Sequence, residues 1–270
     1  MNTSKTAHGR VAIVTGGTFG IGKAITLRLA EQGYRVVAFG LDTPQPASLA
    51  ADGVQALRNE LAERGLVGEV LEADVAKEAD VQRVMDRALE CYGQIDALVN
   101  NAAIGPLGTV VNTSEELWNR IIDVNLKGPF LTCRAAIPHM IKQGGGSIVN
   151  VGSGAGWGKP NMAAYCASKG GVHALTSAIA YDHFRDRIRA NTVIPGGGGI
   201  VTGMSLGRAK GDVAKAASNG PGTAAGRHAN ADDLANAVAF LLSPEAEVIS
   251  GTVLDVGCFA LQGGPIPPAR

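Results

Sequence analysis

The stretch Val11-Ala12-Ile13-Val14-Thr15-Gly16-Gly17-Thr18-Phe19-Gly20-Ile21-Gly22 decides how the rest of the chain is read. Its first four residues form a short apolar run of β-branched character, the pattern of a buried strand. Glycines follow at 16, 17, 20 and 22, and then a helical pattern with Ile25, Leu27, Leu29 and Ala30 on its apolar side and Gly33 at its end. In a strand, glycine turn and helix the backbone can approach a pyrophosphate closely, and that charge is favoured at the helix N-terminus. A glycine pattern alone is a weak signal; the flanking strand and helix supply the context it requires.

Outward from this unit, strand-like and helical segments alternate. Strand-like runs lie near 11–15, 35–40, 67–73, 95–100, 147–151, 188–194 and 252–256, and helical patterns near 20–32, 48–64, 78–92, 114–142, 164–186 and 231–242. The alternation predicts an α/β fold, a doubly wound parallel sheet with helices on both faces, in a single domain over 10–270. Residues 1–9 read as a flexible leader. Ligands of such sheets bind beyond the carboxyl ends of the strands. The glycine turn, Asp74, Asn100-Asn101, Ser153 and Pro195-Gly196 all follow predicted strands and are expected to converge there. Residues 195–228 are rich in Gly, Ala, Ser and Lys, and the part near 197–220 reads as a weakly structured lid.

Tyr165 and Lys169 stand four residues apart, on one face of a predicted helix. A free tyrosine titrates near ~10 and a free lysine near ~10.4, so neither is a useful base alone at neutral pH. A neighbouring cation lowers a phenol's pKa, which makes Tyr165 a candidate proton-transfer group for an alcohol or a carbonyl.

Taken in order, these segments resemble the short-chain dehydrogenase/reductase family of the classical type. The turn at 15–22 resembles that family's T-G-x-x-x-G-x-G fingerprint. Asp74-Val75 resembles its adenine-contacting aspartate. Asn100-Asn101-Ala102-Ala103 resembles its N-N-A-G motif with alanine in place of the last glycine, and Asn125 fits its helix asparagine. Ser153, Tyr165 and Lys169 fit its serine and its Y-x-x-x-K. The resemblance runs from about Arg10 to Gly257. It implies a Rossmann-fold oxidoreductase that moves a hydride between a nicotinamide cofactor and an alcohol or ketone.

In that scheme Tyr165 exchanges a proton with the substrate oxygen. Lys169 lowers the pKa of Tyr165 and holds the nicotinamide ribose. Ser153 orients the substrate oxygen, and Asn125 interrupts its helix and holds a water in a proton relay. Cofactor contacts fall to Gly16, Thr18, Phe19, Gly20, Ile21, Gly22, Asp42, Asp74, Val75, Asn101, Ala102, Tyr165, Lys169, Pro195 and Gly196. Trp157, Met162 and Met204 would flank the pocket, with Lys159 able to reach an anionic group. A non-redox cofactor-binding regulatory protein, and a same-fold epimerase or dehydratase, are the alternatives.

The end of the second strand bears on cofactor choice. An acid there suits the ribose 2′-OH of NAD, and a cation suits the phosphate of NADP. Gly40 stands where the family's acid is expected, Asp42 follows two residues later, and no Arg or Lys occurs at 40–43. The pattern favours NAD, with NADP as the alternative. The run Gly196 to Gly199 departs from the family's shorter P-G-x-[VI]-x-T, which also affects the expected contacts of Ile200 and Thr202.

Composition narrows the remaining classes. The chain has 270 residues, 46% of them hydrophobic, and a formal net charge of zero. It has no basic run of the kind nucleic-acid binders carry and no apolar stretch near the ~20 residues of a membrane span. Cys91, Cys133, Cys166 and Cys258 are widely spaced, as expected of reduced cytoplasmic thiols, and the histidines show no metal-ligand spacing. Phe130, Ile137, Ala174, Leu175 and Ile179 give two long helices more apolar positions than one sheet face needs. Relatives of the family pair these helices, which implies a homotetramer.

Overall fold

The computed structural model describes residues 9–42, 53–196, 200–217 and 222–257. The expected leader, apart from Gly9, and residues 197–199 and 218–220 of the expected lid lie outside them.

Seven strands form one parallel sheet: β1 Val11–Thr15, β2 Arg35–Gly40, β3 Gly68–Glu72, β4 Ala97–Asn100, β5 Gly146–Val151, β6 Ile188–Pro195 and β7 Val253–Val256. Their order is β3-β2-β1-β4-β5-β6-β7. Every residue of β1 is buried, as a strand covered on both faces requires. Its alternation still sorts side chains between two cores. Ala12 and Val14 pack with α1 (Gly20–Glu31), α2 (Val54–Glu63) and α9 (Ala231–Leu242). Val11 and Ile13 pack with α3 (Glu78–Tyr92), α5 (Gly128–Gln143) and α6 (Ala163–Asp182). The chain runs from β1 outward to β2 and β3, then returns to place β4 on the other side of β1. That reversal opens the crevice between the ends of β1 and β4.

The register brings the carboxyl ends level. Thr15 pairs with Phe39 and Asn100, and Asn100 pairs with Asn150, which pairs with Thr192. A buried polar chain follows the same line. Asn100 Nδ2 donates to Asn150 Oδ1 at 2.8 Å, and Asn150 Nδ2 donates to Thr176 Oγ1 at 2.8 Å. Thr192 Oγ1 donates to Thr176 Oγ1 at 3.0 Å, and Thr132 Oγ1 donates to Asn100 Oδ1 at 2.6 Å.

Two expectations change. The helix predicted over 114–142 is α4 (Glu115–Ile122), a π turn (Asp123–Lys127) and then α5. The residues expected to form a weakly structured lid fold, between 200 and 217, into α7 (Gly203–Arg208) and α8 (Val213–Ala217). Thr202 and Ser205 begin α7 with reciprocal caps. Ser205 N donates to Thr202 Oγ1 at 3.1 Å and Thr202 N to Ser205 Oγ at 2.7 Å. Leu206, Ala209 and Ala216 are buried in a small cluster with Phe19 and Val201, which anchors the segment against the glycine turn.

Candidate active site

The glycine turn is built by close approach. Gly16 has φ +59°, in the left-handed region that glycine reaches without strain. A Cβ on Gly22 would lie 1.9 Å from Gly16 O, so the first turn of α1 rests directly on the loop. Asn101 ties the end of β4 to it, donating from Nδ2 to Thr15 O at 3.1 Å and to Gly16 O at 3.0 Å. Thr15 Oγ1 accepts from Asn101 N at 3.0 Å and Ala102 N at 2.9 Å. Phe19, at the N-cap of α1, provides no side-chain cap, and the first turn holds no acid. The unpartnered N–H groups of such a terminus suit a pyrophosphate. These residues fit the phosphates of a dinucleotide.

A cavity of about 1370 Å³ runs along the strand ends. Gly16, Thr18, Phe19, Ile21, Gly22, Asp42, Asp74, Val75, Asn101, Ala102, Tyr165, Lys169 and Pro195 line it. Thr202, Met204 and Arg208 line it from the α7 side. Gly20 opens α1 without lining the cavity, and Gly196 follows β6 just outside it. Asp74 closes its own turn, its Oδ1 accepting from Ala76 N at 3.0 Å. Gly40 is confined by Thr18, whose Oγ1 would sit 2.7 Å from an added Cβ. A side chain at 40 would require Thr18 to shift, while Asp42, two residues on, lines the cavity.

Asn125 explains the π turn. Its Oδ1 accepts from Ile104 N at 2.9 Å, and its Nδ2 donates to Ile104 O at 2.8 Å and to Ser168 Oγ at 3.1 Å. Ser168 Oγ in turn donates to Tyr165 O at 2.8 Å. One side chain thus joins the loop after β4 to the helix that carries Tyr165. Such π turns often mark functional sites.

Tyr165 is 7% exposed and Lys169 3%. Burial pushes the Tyr165 phenol up, and a hydrogen bond from Ser153 and the positive charge of Arg208 pull it back. Lys169 Nζ donates to Val151 O at 2.7 Å and lies 5.9 Å from the centre of the Tyr165 ring. Burial holds the Lys169 ammonium down to about 8. Arg208 thus draws Tyr165 toward its charged form, and Lys169 stands beside the same ring. Ser153 also caps a short helical turn, its Oγ accepting from Ala155 N at 3.1 Å. Met162 packs with Tyr165, whereas Trp157 stacks on His173 at a centroid distance of 4.4 Å. Sequence reasoning missed Arg208, Thr15 and Ser168. Y-x-x-x-K drew attention to the first and last residues of Tyr165-Cys166-Ala167-Ser168-Lys169 and passed over the serine inside it.

A doubly wound sheet with a dinucleotide cradle, a buried tyrosine and lysine and a half-buried serine beside it defines a nucleotide-dependent oxidoreductase. A family profile described as Enoyl-(Acyl carrier protein) reductase matches residues 16–258. The 3-oxoacyl-[acyl-carrier-protein] reductase FabG of Thermotoga maritima is 35% identical over 252 residues, 92% of this chain and 96% of that protein. The 2-(S)-hydroxypropyl-CoM dehydrogenase 3 of Xanthobacter autotrophicus is 35% identical over 263 residues, covering 94% and 95%. The crystal structure of gox2181 superposes with a TM-score of 0.81 at 32% identity, covering 94% of this chain and 96% of that one. The chain belongs to the short-chain dehydrogenase/reductase family and is an NAD(P)-dependent oxidoreductase. No helix among the described residues is long and apolar enough to cross a membrane.

Proposed function

We propose that the protein is an NAD-dependent dehydrogenase or carbonyl reductase acting on a CH–OH or ketone group, with Tyr165 as the acid and base. The observation that carries this reading is a buried phenol in the wall of the cavity that the glycine cradle opens into. A bound nicotinamide supplies or accepts the hydride. Tyr165 gives its proton to the carbonyl oxygen in reduction and takes it back from the hydroxyl in oxidation. Ser153 orients that oxygen by a second hydrogen bond. Lys169, beside the ring, meets the ribose of the cofactor, and Asn125 fixes the loop and helix on which these groups stand. Asp42 supports NAD over NADP, since it favours a ribose hydroxyl and repels a 2′-phosphate. Burial keeps Tyr165 protonated at neutral pH, which suits reduction. Oxidation is expected to quicken as pH rises.

The test is a panel of alcohols and ketones with NAD(H) and NADP(H), read at the nicotinamide absorbance. Tyr165→Phe removes one hydroxyl, and the expected loss of turnover is about 10²–10⁴-fold with cofactor affinity retained. Activity within a few-fold of the parent excludes Tyr165 as the proton donor. Tighter binding of NADP than NAD overturns the role given to Asp42. Product formed with no net change in nicotinamide absorbance points instead to an epimerase or dehydratase.

A further inference from the structure

We propose that Arg208 binds a carboxylate carried by the substrate, so that the protein acts on a hydroxy or oxo acid in preference to a neutral alcohol or ketone. The inference deepens the reading above and rests on it for the place of the reacting carbon.

Arg208 ends α7 and reaches the cavity wall at the Tyr165 end. Its Nη2 donates to Gly105 O at 3.2 Å and lies 3.7 Å from Met204 Sδ. Met204 packs in turn with Ala155, Met162, Tyr165 and Cys166. A guanidinium carries five N–H donors in a planar fork, and one carbonyl and one thioether leave most of that fork open. No carboxylate among the described residues forms an ion pair with it. The acids of this wall, Glu115, Glu116 and Asp123, stand at α4 and the π turn, and Asp123 is paired with Lys127.

Ile104, Pro106, Leu107 and Met204 line the cavity with Arg208, and Asn119 and Arg120 stand with the acids on α4. Arg208 is exposed, so a carboxylate there keeps part of its water, and the guanidinium meets it with two parallel hydrogen bonds. Lys159, the cation that the sequence offered for an anionic group, does not line the cavity. Its backbone N–H donates to Cys166 Sγ at 3.2 Å. Arg208 also draws the Tyr165 phenol toward its charged form.

Glycerate, 3-hydroxybutyrate and mandelate, each beside its methyl ester, are titrated by calorimetry into the protein holding NAD. The same compounds are assayed at the nicotinamide absorbance. At least one acid is expected to bind about tenfold or more tighter than its ester, the scale of a hydrogen-bonded charge pair. Arg208→Gln should remove that preference and Arg208→Lys keep part of it. The acid-to-ester ratio is the readout, because the loss of a charge near Tyr165 slows both. Acids that bind no tighter than their esters, or a preference that survives Arg208→Gln, overturn the proposal. Acid-selective binding without nicotinamide turnover sinks the dehydrogenase reading and leaves this one standing. Turnover without acid preference does the reverse.

Discussion

Lys169 keeps an ammonium where the fold gives it one carbonyl and almost no water. Its pKa of about 8 is well below the ordinary lysine value. Between about pH 8 and 10.5 the unfolded chain holds this proton and the folded chain does not, so stability rises with pH across that window. Below about 8 both states are charged and the full cost of burying the ammonium remains. Thermal midpoints of the parent and Lys169→Met should therefore converge or cross as pH rises from 8 to 10, to the parent's benefit. A constant difference over that range excludes a depressed Lys169. At this scale the sequence disclosed Tyr165, Lys169, Ser153 and Asn125 through their spacing. It did not disclose Arg208, which reaches the cavity from a helix 43 positions away and rests on Gly105.

Strands were legible wherever β-branched runs met glycine or polar punctuation, as at Val11–Thr15 and Arg35–Gly40. The π turn was not, because periodicity counts residues along one helix and this turn is set by Asn125 pairing with the distant backbone of Ile104. A π turn is an α-helix with one residue to spare. Removing one residue, such as Val124, lets the hydrogen bonds close to the ordinary pattern, with Ile121 on one side and Leu131, Ala136 and Met140 on the other still facing inward. Removing Ala135 instead turns all that follows by about 100°, which puts Pro138 in the buried place of Ile137 and turns Met140 out to the half-exposed place of His139. Melting followed by circular dichroism should find the first deletion folded and the second collapsed. Equal loss in both contradicts the spare-residue account. α7 and α8 escaped sequence reading because glycine and serine hid a helix held by reciprocal caps and a small apolar cluster.

For the whole molecule, strand and helix alternation was enough to give the parallel, doubly wound order. The expected assembly rests on less. Ile137 and Ile179 are consumed by the chain's own core, while Phe130 is 45% exposed and Tyr181 and Phe184, on and just beyond α6, are 81% and 64% exposed. These aromatic side chains support pairing of α5 and α6 across a two-fold axis in a homotetramer. Light scattering at micromolar concentration should report about four times the 27.6 kDa chain, and a monomer refutes the assembly.

The buried line from Asn100 through Asn150 and Thr176 to Thr192 has a further consequence. Central parallel strands are apolar on both faces, so hydrophobic patterning tells each strand little about how far to slide along its neighbour. If β5 slipped by one residue, Val149 or Val151 would meet Asn100, and two amides would be stranded in a dry interior. The polar chain therefore works as a set of alignment pins. It makes the correct offset the one that leaves nothing thirsty, and it does so on strands whose ends must finish level for a dinucleotide to lie across them.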